Sequence, residues 1–225
     1  MTPVQATHYT LKPSPYSSHS ILLARLPEPG QGRRVLDVGC GNGYLAEILG
    51  NRGYDVAGIE RPEGVSRELP PSIRFFPADL DREFPQLGTY DTIVCADILE
   101  HLREPSELLR RLKRHLAPGG KFLCSLPNSG NIHFRLTVLA GRFPKEDKGL
   151  FDRTHVHFLT WNGWSNLFQE AGLAFTHIHP TGIPVGLRFP DWDGTVPISA
   201  AEALCYYLAR LRKNLFAYQF VVEAK

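Results

Sequence analysis

The stretch VLDVGCGNGYL at residues 35–45 carries an apolar strand pattern straight into glycines at 39, 41 and 43. A strand that turns so tightly into a helix needs backbone free of Cβ atoms, and such a unit opens a parallel α/β sheet. The rhythm continues along the chain. Residues 34–38 read as a first strand, and 43–52 as a helix with Leu45, Ile48 and Leu49 inward. A second strand at 54–59 ends at Glu60, a short third falls at 73–76, and a fourth at 89–96. Residues 105–116 read as a helix with proline in its first turn, a stripe of Leu108, Leu109, Leu112 and Leu116, and Pro-Gly-Gly as its stop. A fifth strand follows at 121–126. This alternation predicts right-handed βαβ units and a mostly parallel sheet covered on both faces.

Past Pro127 the rhythm breaks. Residues 128–160 are too many for an ordinary strand-to-helix connection, and they include two histidines within three residues. A helix at 162–171 follows. Residues 173–179 and 217–223 read as closing strands, separated by a loop at 181–197 and a helix at 198–212. At 225 residues the expectation is a single α/β domain. It divides into a helical segment at about 14–27, a core at 33–126, an insertion at about 127–160 and a C-terminal part at 162–225.

Composition narrows the function. With 25 Lys plus Arg against 23 Asp plus Glu, the net charge of +2 gives no reason to expect nucleic acid. Cys40, Cys95, Cys124 and Cys205 lack C-x-x-C spacing, and the first 15 residues are polar with no apolar leader core. No run is long and apolar enough for a bilayer span, so a cytoplasmic protein is the expectation.

The glycine turn itself discriminates between ligands. A dinucleotide fold uses G-x-G-x-x-G, whereas here the third glycine comes one residue early and Asp37 precedes the first. A pyrophosphate would meet that carboxylate unfavourably, and an ammonium-bearing ligand would be attracted to it. These residues resemble the first motif of class I S-adenosylmethionine-dependent methyltransferases. Glu60 matches the acid that usually holds the ribose hydroxyls, Asp79-Leu80 the pair flanking the adenine, and YDTIVCADILEHL the fourth-strand motif. The likeness covers residues 16–126 in order and spacing.

The resemblance implies a seven-stranded sheet whose last strand is antiparallel, with S-adenosylmethionine across the carboxyl ends of strands one and four. The implied cofactor set is Tyr16, Asp37, Gly39, Cys40, Gly41, Asn42, Gly43, Glu60, Arg61, Asp79, Leu80, Ala96 and Asp97. Tyr16 starts either a helix that covers the cofactor or one simply packed on the domain.

Methylating a hydroxyl requires alignment and removal of a proton. Asp97, Glu100 and His101 fall at helix-face spacing, although Asp97-x-x-Glu100 also has the spacing of a capping box. The Glu-His pair is similar to that of ubiquinone-type O-methyltransferases, and His101 is the leading base. In FDRTHVHFLTW, His155 and His157 share a face if the segment is extended, and would position or deprotonate the acceptor. This segment resembles the Asp-x-Thr-His-x-x-Phe-x-Thr-like stretch of bacterial methyltransferases of glycan, lipid and secondary-metabolite pathways. The plainer reading is that Asp152, Thr154 and one histidine pin a loop.

Asp97, Glu100, His101 and His155 are also similar to the metal set of small-RNA 2′-O-methyltransferases, with Asp in place of the first Glu. A divalent metal is not the expectation. Arg110, Arg111, Lys113 and Arg114 read as a solvated helix face, His177 and His179 as structural, and 132–139 as a lid, a satellite core or a dimer contact. The expected activity is O-methylation of a small-molecule or glycan- or lipid-pathway hydroxyl. The alternatives are RNA-end methylation, N-methylation, or a non-catalytic partner that binds the cofactor.

Overall fold

The structure is a computed structural model and describes residues 14–65 and 69–225. Most of the polar opening segment that was read as lacking a leader, residues 1–13, lies outside the described residues. Seven strands form one sheet in the order β3-β2-β1-β4-β5-β7-β6. They are β1 (Arg34–Val38), β2 (Asp55–Glu60), β3 (Arg74–Pro77), β4 (Tyr90–Ala96), β5 (Leu116–Pro127), β6 (Phe175–Pro180) and β7 (Gln219–Ala224). Strands β1 to β5 pair in parallel, and β7 runs antiparallel to both β5 and β6. The chain reverses direction between β3-β2-β1 and β4-β5, which leaves a crevice at the carboxyl ends of β1 and β4.

Alternation along the central strands sorts two cores. Leu36, Ile93, Cys95, Phe122, Cys124, Phe220 and Val222 face one side, where they meet Leu108, Leu109 and Leu112 of α3 (Pro105–Lys113) and Trp164 and Phe168 of α5 (Trp161–Glu170). Val35, Val56, Val94, Leu123 and Val221 face the other. There they meet Leu22 and Leu23 of α1 (Ser18–Ala24) and Leu45, Ala46 and Leu49 of α2 (Tyr44–Asn51). Trp164 is fully buried, and its indole N–H donates to the Pro127 carbonyl at 2.8 Å, so its polar edge is satisfied inside the core.

Three expectations are corrected. Helix α3 stops at Lys113, and Leu116 belongs to β5 opposite Tyr90. The Pro-Gly-Gly segment is therefore a bulge within β5, where the register jumps from Tyr90↔Leu116 to Thr92↔Lys121 and Gly119 takes φ +80°. Residues 181–197 are not plain loop: they hold α6 (Val185–Arg188) and a 3₁₀ turn at Pro190–Trp192 before α7 (Val196–Leu211). Arg110, Arg111 and Lys113 lie exposed on α3 and Arg114 just past its end, the first two paired with Glu107.

The 127–160 segment folds back on the sheet. Asn131 caps α4 (Ile132–Leu139) by accepting from the His133 amide, while its side-chain N–H donates to the Ala217 carbonyl at 2.9 Å. Phe134 stacks on Phe151 at 4.5 Å and, with Leu150, forms a satellite core. Leu136, Val138 and Leu139 remain exposed on the outer face of α4. Among the described residues, no helix is long and apolar enough to cross a membrane.

Candidate active site

At the end of β1 the chain takes left-handed backbone at Gly39, Gly41 and Gly43, with φ of +76°, +51° and +72°. Side chains rarely adopt this conformation, and at Gly39 a Cβ would also lie 2.7 Å from Ile98 in the loop after β4. The Gly39 and Cys40 amides donate to the Ile59 carbonyl, tying the turn to the end of β2. Glu60 then faces the turn: its Oε2 accepts from the Gly41 amide at 3.1 Å. Asp37 is 2% exposed, and its Oδ2 has no hydrogen-bond partner among the described residues. Burial, reinforced by the nearby Glu60, pushes its carboxyl up to about 7.

The other implied cofactor residues are placed as follows. The Cys40 thiol lies against Gly58 and donates to the Gly41 carbonyl at 3.8 Å, and burial pushes it up. Asn42 lies in the turn, half-buried, before Gly43 caps α2. Gly39, Glu60, Arg61, Asp79, Leu80 and His101 line one cleft. Ala96 ends β4. Tyr16 packs tilted against Tyr206 of α7, ring centres 4.9 Å apart, while His19 of α1 reaches, at 2.7 Å, the hydroxyl of Tyr44, the first residue of α2. A larger hollow of about 560 Å³ lies along α4 beside His133, Arg142 and Phe143, and it includes none of the cleft residues.

The helix-face and capping-box readings of Asp97 are overturned. Its φ of +52° excludes a helix, and Ile98, not Asp97, precedes the 3₁₀ turn at Leu99–His101. The carboxylate instead accepts from Ser125 Oγ at 2.6 Å and Gln219 Nε2 at 2.8 Å, bridging β4 to β5 and β7. Neither partner was singled out from the sequence, because the contact depends on sheet order.

Glu100 is 1% exposed, its Oε2 has no hydrogen-bond partner among the described residues, and burial followed by Asp97 holds its carboxyl well above the usual range. Its backbone carbonyl accepts from the Val156 and His157 amides at 2.9 and 3.1 Å, which brings the insertion to the cleft. His101 Nδ1 is 3.0 Å from Thr154 Oγ1, whose hydroxyl reaches Asp152 Oδ1 at 2.5 Å. The pinned-loop reading therefore holds for Asp152 and Thr154, and the pin also touches His101. Burial lowers the His101 imidazole, partly countered by Asp152, so it stays neutral near neutral pH.

His155 packs edge-on to His101 with ring centres 4.7 Å apart, and burial followed by His101 lowers it to about 4. Its Nε2 lies 3.8 Å from Glu100 Oε1. With the imidazole neutral near neutral pH, this contact is not an ion pair. His157 does not share its face: residues 155–157 form a bend, and His157 Nε2 turns to the Arg103 carbonyl at 3.3 Å. Glu100, His101 and His155 each offer a ligand atom within 4.8 Å of the others, and Asp97 is not in that group. His177 lies 3.8 Å from Glu223 on the β6–β7 pair.

A family model described as a methyltransferase domain matches residues 16–178. The ubiquinone biosynthesis O-methyltransferase of Bordetella avium (strain 197N) is 29% identical over 188 residues, 80% of this chain and 75% of that protein. The chain spans a smaller share, 50% to 65%, of several other ubiquinone biosynthesis O-methyltransferases. A solved S-adenosylmethionine-dependent methyltransferase from Mesorhizobium loti aligns with a TM-score of 0.62 at 20% identity, over 92% of this chain and 97% of that one. A Burkholderia thailandensis 1,6-didemethyltoxoflavin-N1-methyltransferase, solved with S-adenosylhomocysteine, aligns at 0.54 and 15% identity, over 92% and 75%. These two likenesses bear on the fold. Because the family model spans well over half of the chain, the chain belongs to this methyltransferase family and is an S-adenosylmethionine-dependent methyltransferase.

Proposed function

We propose that the enzyme methylates a hydroxyl of a small-molecule acceptor of glycan- or lipid-pathway type, with His101 as general base, and does so in the cytoplasm. The observation that carries this reading is a neutral imidazole on the wall of the cofactor cleft, its Nδ1 already taken by Thr154. Similarity to a ubiquinone biosynthesis O-methyltransferase supports a hydroxyl acceptor, and four free cysteines are consistent with a reducing compartment.

The residues fit the cofactor. Asp37, buried with one oxygen unpartnered among the described residues, is suited to an ammonium, and Glu60 to the ribose hydroxyls. Asp79 and Leu80 would flank the adenine. When bound, S-adenosylmethionine supplies an electrophilic methyl whose bond to sulfur breaks, with its electron pair, as the new bond to oxygen forms. His101 Nε2 takes the acceptor's proton, so the oxygen attacks with a full lone pair. His155, neutral and buried beside it, positions the acceptor without competing for that proton. His157, held on Arg103, serves the loop.

The test is turnover of His101→Gln at saturating substrate. A general base contributes roughly 10²- to 10⁴-fold, and the rate should fall within that range while cofactor affinity stays within twofold. Unchanged turnover would remove His101 from the chemistry.

The trio Glu100, His101 and His155 favours a second reading, in which a divalent cation joins them and binds the acceptor oxygen. Loss of turnover in a chelator, restored by Mg²⁺ or Mn²⁺, would establish it; full activity in the chelator would dismiss it.

A further inference from the structure

A hydroxyl has one proton to donate. Thr154 Oγ1 lies 2.5 Å from Asp152 Oδ1 and 3.0 Å from His101 Nδ1, so one of these contacts uses its proton and the other its lone pair. Asp152 Oδ1 also accepts the Thr154 amide at 2.8 Å, which marks that oxygen as an acceptor, and the residue is 3% exposed. The hydroxyl proton therefore points at Asp152. What remains toward the ring is a lone pair, and at 3.0 Å it favours a proton on Nδ1 over a second lone pair facing it.

We propose that Asp152 and Thr154 are positioning residues that hold His101 in its Nδ1–H tautomer and leave the Nε2 lone pair for the acceptor hydroxyl. The inference rests on the reading of His101 as base. A neutral imidazole without such a partner can carry its proton on either nitrogen, and every molecule protonated at Nε2 is unable to accept there. The same chain of donors acts during the reaction. As Nε2 gains the acceptor's proton, positive charge grows on the ring. The ring then faces a hydroxyl already polarised by a buried carboxylate. This is the role of the orienting acid in a catalytic triad, with a hydroxyl interposed.

The relay is built independently of His101. Phe151, immediately before Asp152, is locked in the satellite core against Phe134. The Asp152 amide donates to the Gly149 carbonyl, the Glu146 amide to the Phe151 carbonyl and the Arg153 amide to the Glu146 carbonyl. Gly149 takes φ +92°, a turn that places Asp152 where it is. The loop thus reaches the ring preformed, and the Thr154 side chain bridges carboxylate and imidazole.

The test reads the tautomer directly. Protein carrying ¹⁵N-histidine, loaded with S-adenosylhomocysteine, is measured by long-range ¹H–¹⁵N correlation near neutral pH, with His101→Gln used to assign the ring. Wild type and Thr154→Ser should show a protonated, pyrrole-like Nδ1 and an unprotonated, pyridine-like Nε2. Thr154→Val should lose that signature in favour of the other tautomer or a mixture, with its unfolding temperature as the check on folding. Asp152→Asn keeps an acceptor for Thr154 and should retain the tautomer. A wild-type ring protonated at Nε2, or an unaltered signature in a folded Thr154→Val, would overturn the proposal. The tautomer is read without turnover, so it stands or falls separately from the assignment of His101 as base, which the rate of His101→Gln decides.

Discussion

Replacing Asp37 with Asn tests the electrostatics of the cofactor site. The side chain is 2% exposed, with a carboxyl raised to about 7 by burial and Glu60. At that value about one tenth is ionised at pH 6 and about nine tenths at pH 8. If the carboxylate holds the ligand's ammonium, affinity for S-adenosylhomocysteine should rise about tenfold across that range relative to Asp37→Asn, because the ligand's own ionisation cancels in the ratio. At pH 8 the substitution removes a charge-assisted hydrogen bond of about 1.5–3 kcal/mol, or roughly tenfold to a hundredfold in affinity.

Calorimetry in buffers of different ionisation heat should also find nearly one proton released per ligand at pH 6 and almost none at pH 8 in wild type. Stability should move the other way. A carboxyl whose folded value is raised costs stability as pH climbs from about 4 through 7, so ligand-free Asp37→Asn should be the more stable protein at pH 8, by as much as about 4 kcal/mol. Parallel pH dependences for the two proteins, with no difference in proton release, would refute the reasoning.

Three further outcomes are expected. Gly39→Ala forces a methyl into left-handed backbone and against Ile98; it should destabilise by about 2 kcal/mol or more and abolish cofactor binding, read by thermal unfolding and calorimetry. His155, lowered from the usual imidazole value to about 4, binds its proton in the unfolded chain first. Stability should therefore fall by about 2–3 kcal/mol as pH drops from about 6.5 to 4, a slope that urea titrations should find flattened in His155→Gln. Glu100, shifted upward, gives the opposite slope, with stability lost as pH rises above the ordinary carboxylate range.

The parallel strands and the glycine turn were legible because their signals are local: apolar runs, and glycines where φ must be positive. What escaped was decided at a distance. Asp97 carries a spacing that suits a cap, but its oxygen goes to Ser125 and to Gln219, 122 residues away in sequence, once β5 and β7 lie beside β4. Pro-Gly-Gly looks like a helix stop until Leu116 is seen pairing with Tyr90. The alternating histidines suggest a strand, yet the Glu100 carbonyl collects two successive amides and bends the chain between His155 and His157. The Thr154–His101 contact spans 53 positions and has no signature beyond the presence of both residues.

The proposed reaction requires an acceptor oxygen placed between the donor methyl and one nitrogen of His101. A crystal structure with S-adenosylhomocysteine and a hydroxyl acceptor that the enzyme turns over measures this directly. The hydroxyl should lie about 2.6–3.2 Å from His101 Nε2, on the far side of the ring from Thr154. A bound acceptor whose oxygen lies out of reach of that nitrogen, against another base or none, would contradict it.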